Sequence, residues 1–157
     1  MSRQMKPAAQ SGKKAGPPPC HEETAFLELL RTSDLLTRGL VPILKAEELS
    51  MTQYNVLRIL RGAPEGLPCG EIANRMITRD PDITRLLDRL EKRALISRER
   101  EKKDRRTVLV RITSGGLKLL SRLDQPVRMG HRKQLGHLGR EQLQTLCGLL
   151  HSARTPG

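Results

Sequence analysis

The chain has 157 residues, and its 29 lysines and arginines outnumber 17 acidic residues, giving a formal net charge of +12 at pH 7. This excess predicts an anionic partner; nucleic acid is the commonest kind, and a membrane surface is the alternative. No apolar run approaches the roughly 18 residues of a spanning helix, and no signal-peptide pattern opens the chain. We therefore expect no membrane partner.

The hydrophobic core must be built mostly from leucine and other aliphatic residues, because aromatic residues make up only 1% of the chain. A modest core spread over long helices often gains its missing burial in a second subunit. The three cysteines, Cys20, Cys69 and Cys147, are odd in number and unclustered. This pattern predicts a reduced, cytoplasmic protein without a disulfide framework.

The N-terminal part divides into an arm and a helix. Residues 1–19 contain lysines and three consecutive prolines but almost no large apolar residues, which predicts a disordered basic arm that either contacts DNA or is passive. Residues 20–48 carry apolar residues at helical spacings of three and four. Pro42 has no amide to donate to Arg38, so a kink or break is expected near Gly39.

A second helix has a recognisable beginning and end. Ser50 and Gln53 form a predicted capping box at its start. Gly62 is a predicted left-handed terminator, followed by a loop over residues 63–67.

The middle of the chain predicts a helix-turn-helix motif. A short helix over residues 69–76 precedes a connection, and Asp80 is the predicted N-cap of the next helix, with Pro81 in its first position. Ile83, Leu86 and Leu90 lie on the apolar face of this second helix, and its other face is polar and basic.

A β-hairpin follows directly. Residues 107–112 alternate between apolar and polar, and a partner strand is predicted over residues 96–101. The basic residues between them form the tip, so the hairpin resembles a DNA-binding wing. Thr113 then caps a helix extending to about Leu135, and a last helix starts near Arg140. The preceding domain offers little surface against which these two helices could bury their apolar faces. The apolar faces therefore predict packing against a second subunit.

Several segments resemble the MarR family of winged helix-turn-helix regulators. DRRTVLVRIT, residues 104–113, is similar to the family's wing signature DxRxxxxxLT, with Ile112 in place of leucine. ITRLLDRLEKRALISR, residues 83–98, resembles its recognition helix, and LGREQLQTLCGLL resembles its final dimerisation helix. Ala94 replaces a common glycine, which costs on the order of 1 kcal/mol if φ is positive there.

The resemblance implies a mainly α fold: a winged helix-turn-helix with six helices and a two-stranded wing, dimerising through its N- and C-terminal helices. The implied organisation is a basic arm (1–19), an N-terminal dimerisation helix (20–48), a DNA-binding lobe (49–113), C-terminal dimerisation helices (114–152) and a frayed tail (153–157). The implied function is sequence-specific regulation of transcription by a homodimer that binds double-stranded DNA at a pseudo-palindrome. The regulator is expected to act as a repressor.

The resemblance also assigns site residues. The predicted DNA contacts of the recognition helix are Arg79, Asp82, Thr84, Arg85 and Arg89. The predicted wing contacts are Lys102, Lys103, Arg105 and Arg106, with Asp104 fixing the wing. The predicted dimer interface comprises Phe26, Leu29, Leu30, Leu120, Leu143, Leu146 and Leu150.

No catalytic signature is present in the sequence, and the four histidines lack a metal-site spacing to carboxylates or cysteines. We therefore expect a protein that is not an enzyme and has no metal or cofactor. Thiol sensing at Cys20 is an alternative left open, as is an unknown small-molecule effector. The rival functions are an architectural or RNA-binding protein without sequence specificity, and a helical adaptor for an acidic protein.

Overall fold

The computed structural model describes residues 18–100 and 106–155. The chain forms two units, the first ending at Ser33 and the second beginning at Asp34. The first helix, α1 (His21–Lys45), contains residues of both units and is continuous through Pro42. The predicted break near Gly39 is therefore wrong. Helical bonding resumes beyond the proline, because the Ala46 amide donates to the Pro42 carbonyl at 3.2 Å.

The second unit contains the winged helix-turn-helix. Its elements after α1 are α2 (Met51–Arg61), β1 (Leu67–Pro68), α3 (Cys69–Arg75), α4 (Ile83–Lys92), β2 (Ile96–Arg100), β3 (Val108–Ile112), α5 (Ser114–Leu135), a short 3₁₀ turn (Gly136–Leu138) and α6 (Gly139–Arg154). The predicted fold class, mainly helical with a small antiparallel wing, is confirmed. Because α6 continues to Arg154, the first two residues of the predicted frayed tail are helical.

The wing is part of a larger sheet than predicted. Strand β3 pairs antiparallel with β2, placing Ile96 opposite Ile112, and also with β1, placing Leu67 opposite Val110. The sheet thus has three strands in the order β1-β3-β2. Two residues are too few to show a strand periodicity, so β1 could not be predicted from the apolar pattern. Pro68 is tolerated because β1 is an edge strand.

A single aliphatic core joins the helices of the second unit to the sheet. The largest fully buried side chains include Leu44 of α1, Leu57 and Leu60 of α2, Leu90 of α4 and Leu120 of α5. Leu120 was predicted at the dimer interface, and this is wrong, because a side chain fully buried inside its own chain has no surface for a partner. Helix α6, in contrast, has no buried residue.

The predicted helix caps are partly confirmed. The Gln53 amide donates to Ser50 Oγ at 3.1 Å and the Ser50 amide to Gln53 Oε1 at 3.0 Å, which completes the capping box. Gly62 ends α2 in the right-handed region, with φ −79°, so its left-handed conformation is not found. The N-cap of α4 is Asp82 rather than Asp80, because Asp80 Oδ1 accepts from the Asp82 amide at 2.9 Å and forms the preceding turn.

Ala94, which follows the C-cap of α4, adopts the strained conformation anticipated for it. Ala94 has φ 55°, and its amide donates to the Glu91 carbonyl at 2.8 Å. Because glycine reaches this region without a Cβ clash, Ala94→Gly is expected to raise the free energy of unfolding by about 1 kcal/mol. Urea denaturation measures this change. Ala73→Gly, within α3, is the control and should lower stability by about 0.5–1 kcal/mol. A loss of stability in both variants would contradict the expected strain.

The start of α5 packs closely on the sheet at Gly116. A Cβ there would overlap the Leu95 carbonyl oxygen and lie 2.7 Å from Cγ1 of Ile112. Gly116→Ala is therefore expected to destabilise the protein by about 1–3 kcal/mol. The matched control is Gly115→Ala, whose Cβ would lie 3.3 Å from the nearest atom, the Ala94 carbonyl oxygen. Thermal unfolding should separate the two variants; equal midpoints would show that the backbone adjusts freely.

Candidate nucleic-acid interface

Helix α4 has one buried and one exposed face. Leu86, Leu87 and Leu90 are buried in the core. Thr84, Arg85 and Arg89 are exposed. Arg79 is also exposed, in the connection between α3 and α4. An exposed polar face on the second helix of a helix-turn-helix is the surface that enters a major groove in this architecture.

The first turns of α4 lie beside the start of α2. The two elements line a shallow depression that contains Asp82, Arg85 and Arg89 of the predicted site. The depression also contains Ser50, the N-cap of α2, and Thr52 of α2. The structure therefore brings together three predicted contact residues and two hydroxyl groups. From the sequence, Ser50 was assigned only to helix capping, and Thr52 was not considered.

Asp82 organises the start of this surface. Its Oδ1 accepts from the Arg85 amide at 3.2 Å, and its Oδ2 lies 3.1 Å from Arg85 Nε. The Arg85 side chain is 79% exposed in this ion pair. Since exposed ion pairs are worth about 0–1 kcal/mol, Arg85 can exchange this partner for an acceptor on DNA at little cost. A base contact by Asp82 itself stays a prediction.

The wing contributes a second cationic surface. Arg106, the first described residue after the tip, is exposed, as is Arg100 at the end of β2. The predicted tip residues Lys102, Lys103, Asp104 and Arg105 lie outside the described residues. The structure thus describes the strands that carry the tip and one of the predicted wing contacts.

Two other arginines of the sheet bind within the chain. Arg98 Nη1 lies 2.7 Å from Asp88 Oδ1 and 3.2 Å from Glu91 Oε2, which ties β2 to the recognition helix. Arg111 Nη1 donates to the Pro64 carbonyl at 3.0 Å. These contacts hold the wing against α4 and against the loop before β1, so both arginines are structural in this conformation.

An open, largely apolar cleft of about 480 Å³ lies between α2, α5 and the turn before α4. Tyr54 lines the cleft, and the Arg58 guanidinium carbon lies 5.9 Å from the centroid of the Tyr54 ring. Asn55 Oδ1 accepts from the Ile77 amide at 2.9 Å and holds the turn of the helix-turn-helix to α2. His131 also lines the cleft, so two basic side chains border an apolar space.

The remaining predicted interface residues lie at the chain surface. In α1, Phe26 is 58% exposed, Leu29 43% and Leu30 53%. In α6, Leu143, Leu146 and Leu150 are partly exposed. Both helices therefore present apolar side chains that the described part of their own unit does not bury.

The described residues also bear on metal binding, disulfide formation and membrane insertion. Cys20, Cys69 and Cys147 are free thiols. No group of three histidine, cysteine or carboxylate side chains within residues 18–100 and 106–155 is arranged to hold a metal ion. Over the same ranges, none of the helices has the length and apolar character required to cross a bilayer.

Sequence profiles and relatives identify the family. The profile of the MarR family matches residues 49–108, from just before α2 to the start of β3. The chain is 31% identical over 123 residues to the HTH-type transcriptional regulator FarR of Neisseria gonorrhoeae, covering 78% of this chain and 83% of that protein. The chain belongs to the MarR family.

Solved structures agree with this assignment to the MarR family. A MarR transcription factor from Planctomyces limnophilus is 42% identical, covers 85% of this chain and 97% of its own, and superposes with a TM-score of 0.66. A mutant MarR from E. coli, solved in complex with operator DNA, is 24% identical, covers 83% of this chain and 93% of its own, and shares the fold with a TM-score of 0.76. The resemblance inferred from the wing and the recognition helix is thus confirmed.

Arg93, a residue of the DNA-binding lobe, makes two long-range hydrogen bonds that were not predicted from the sequence. Arg93, the C-cap of α4, donates to the backbone carbonyls of Glu47 and Glu48, about 45 residues earlier in the chain. An arginine near a helix end is common and gives no signal of such a partner. Only the folded arrangement of α1 beside the end of α4 identifies this contact.

Proposed function

We propose that this MarR-family chain is a sequence-specific DNA-binding regulator of transcription, and not an enzyme, which represses by occupying a pseudo-palindromic site as a homodimer. The observation that carries the proposal is the exposed cationic face of α4 beside a wing in which Arg106, just after the tip, is exposed. The relatives support it, since FarR is named a transcriptional regulator and the E. coli MarR was solved with operator DNA. A regulator of this kind acts where the DNA is, in the cytoplasm.

The chemistry of α4 fits a major groove. The fork of the Arg85 guanidinium matches the O6 and N7 acceptors of guanine, a contact that discriminates by about 1–3 kcal/mol. Arg79 and Arg89 are assigned to phosphates on either side. Thr84 is small enough to contact a base edge or a thymine methyl group.

The wing fits a neighbouring minor groove. Arginine on a narrow hairpin is attracted by the enhanced negative potential of a narrow minor groove. We assign this role to Arg106, with Lys102, Lys103 and Arg105 on nearby phosphates and Asp104 fixing the tip. Because β2 is tied to α4 through Arg98, the helix and the wing meet DNA as one body.

Dimerisation explains the apolar faces of α1 and α6. Phe26, Leu29 and Leu30 on α1, and Leu143, Leu146 and Leu150 on α6, form the proposed interface. A two-fold axis would place two recognition helices about 34 Å apart, the length of one turn of B-form DNA. The spacing of the two helices then determines which DNA sites bind.

The cleft beside α2 supports release by a small molecule. Its apolar lining with Arg58 and His131 at the border suits a ligand with an apolar body and an acidic group. Such a ligand would act by changing the spacing of the two lobes, since it must bind one spacing better than the other.

Selection of bound duplexes from random DNA at near-physiological salt tests the proposal. A palindromic consensus is the expected result, and Arg85→Ala should lose preference at a single base pair in each half-site. Binding without enrichment would favour the architectural or RNA-binding alternative. No retardation of DNA at moderate salt would favour a protein-binding adaptor instead.

A further inference from the structure

The end of the recognition helix is tied to the end of α1 and to α5 by two arginines. Arg93, at the C-cap of α4, donates from Nη1 to the Glu48 carbonyl at 2.7 Å and from Nη2 to the Glu47 carbonyl at 3.1 Å. Arg122 of α5 grips the Glu47 carboxylate with Nε at 3.1 Å from Oε1 and Nη2 at 2.8 Å from Oε2. Glu47 thus receives one arginine on its backbone and another on its side chain.

These contacts are charge-assisted hydrogen bonds, and the one between Arg122 and Glu47 is bidentate. The last carbonyls of a helix lack partners within the helix, and Arg93 supplies charged donors to two carbonyls just beyond α1. The hydrogen bonds from Arg122 lower the pKa of Glu47, and those to Glu47 raise the pKa of Arg122. The paired planes of guanidinium and carboxylate also fix an orientation, which a single point contact does not.

Both helix ends at this junction adopt the same strained backbone. Glu48 has φ 53° and Ala94 has φ 55°, and neither is glycine. In each case the residue's amide and the next one bond back into the preceding helix: Leu49 donates to Leu44 and Leu95 to Leu90, at 3.0 and 3.1 Å. Left-handed residues without glycine persist where the surroundings define them tightly. The junction is therefore a defined corner between α1 and α4.

We propose that Arg93 and Arg122 are positioning residues for DNA recognition, which act through Glu47 to fix the direction of α4 relative to α5. Neither arginine needs to touch DNA in this role. The inference rests on the proposed function, because the direction of α4 matters only if two lobes must fit two half-sites together. A dimer with loosened α4 helices should tolerate wrong spacings that the wild-type dimer rejects.

The test measures affinity against half-site spacing with the full-length chain. The selected palindrome is prepared with its own spacing and with one base pair inserted or removed between the half-sites. For the wild type we expect an affinity loss of about 10–100-fold on the altered duplexes, since coupling between sites has this size. For Arg93→Met we expect weaker binding at the native spacing and a spacing penalty reduced to about 3-fold or less. Arg122→Met should change the penalty in the same direction.

The controls separate positioning from folding and from DNA contact. Arg38→Met removes the same charge and an ion pair at 2.6 Å with Asp34, but that pair joins residues of one helix. It should leave the spacing penalty unchanged. Arg93→Lys keeps the charge but not the planar fork and should give an intermediate penalty; it also serves if the methionine variant does not fold. Urea denaturation reports stability separately.

Each outcome decides between the two proposals. A spacing-sensitive wild type with an equally spacing-sensitive Arg93→Met would overturn the positioning role and leave the regulator proposal standing. An equal loss of affinity at every spacing would also overturn it, because a lost phosphate contact has that effect. A wild type that shows no preference for spacing would overturn the dimeric regulator and this inference together.

Discussion

Replacement of Leu146 by aspartate is expected to convert the dimer to a monomer and to weaken binding to a two-half-site duplex by at least about 100-fold. The size follows from linkage, because the second half-site of a dimer binds at the effective concentration set by the first, which is worth 10²–10⁴-fold. Leu146 lies on the same face of α6 as Leu143 and Leu150, and α6 has no side chain buried by its own chain. A carboxylate placed in an apolar contact between subunits is uncompensated, and its desolvation opposes association.

Sedimentation velocity measures the change directly, and DNA retardation measures its consequence. Thr145→Asp is the matched control, since Thr145 is exposed on the adjacent, polar side of the same helix. It introduces the same residue and charge one position away and should sediment as the wild type. Because no side chain of α6 is buried in the chain, Leu146→Asp should still fold, and a lower urea midpoint than that of the wild type should reflect the lost association of subunits. A dimeric Leu146→Asp would show that α6 does not form the interface.

The parts of the fold that depend on local pattern could be predicted from the sequence. The capping box at Ser50 and Gln53 was predicted correctly, and both of its hydrogen bonds are present, because it depends only on two residues three positions apart. The recognition helix and wing followed from a change of apolar period and from the family signature. Arg85, Arg89 and Arg106 lie exposed as predicted. The DNA contacts themselves remain predictions.

The parts that depend on distant packing could not be predicted. Leu120 and Leu146 both lie on apolar helical faces, but Leu120 is covered by its own chain and Leu146 is only partly covered. Periodicity identifies the apolar face and gives no information on what covers it. The same limit applies to Arg93, whose carbonyl partners lie in another helix end. It applies to Asp80 as well, since two aspartates near one helix start are equivalent until the turn is formed.

A loss of about 10-fold or more in DNA affinity is expected for Arg106→Ala, spread over many sequences rather than confined to one base pair. A minor-groove arginine is attracted by the backbone potential and so carries little base discrimination. The dependence of log Kd on log salt should also become shallower, by about one for each wing that loses a phosphate-compensating charge. Arg106 is exposed at the base of the tip, so the variant should keep its fold.

Retardation assays at several salt concentrations, on the selected palindrome and on unrelated duplexes, measure both effects. Arg128→Ala is the control, because Arg128 is an exposed arginine of α5 and its loss lowers the net charge equally. If only the overall charge of +12 attracted DNA, the two variants would weaken binding alike. A larger effect of Arg106, with a changed salt slope, would locate the attraction at the wing. Full-strength binding by Arg106→Ala would instead contradict the role of Arg106 in the minor groove.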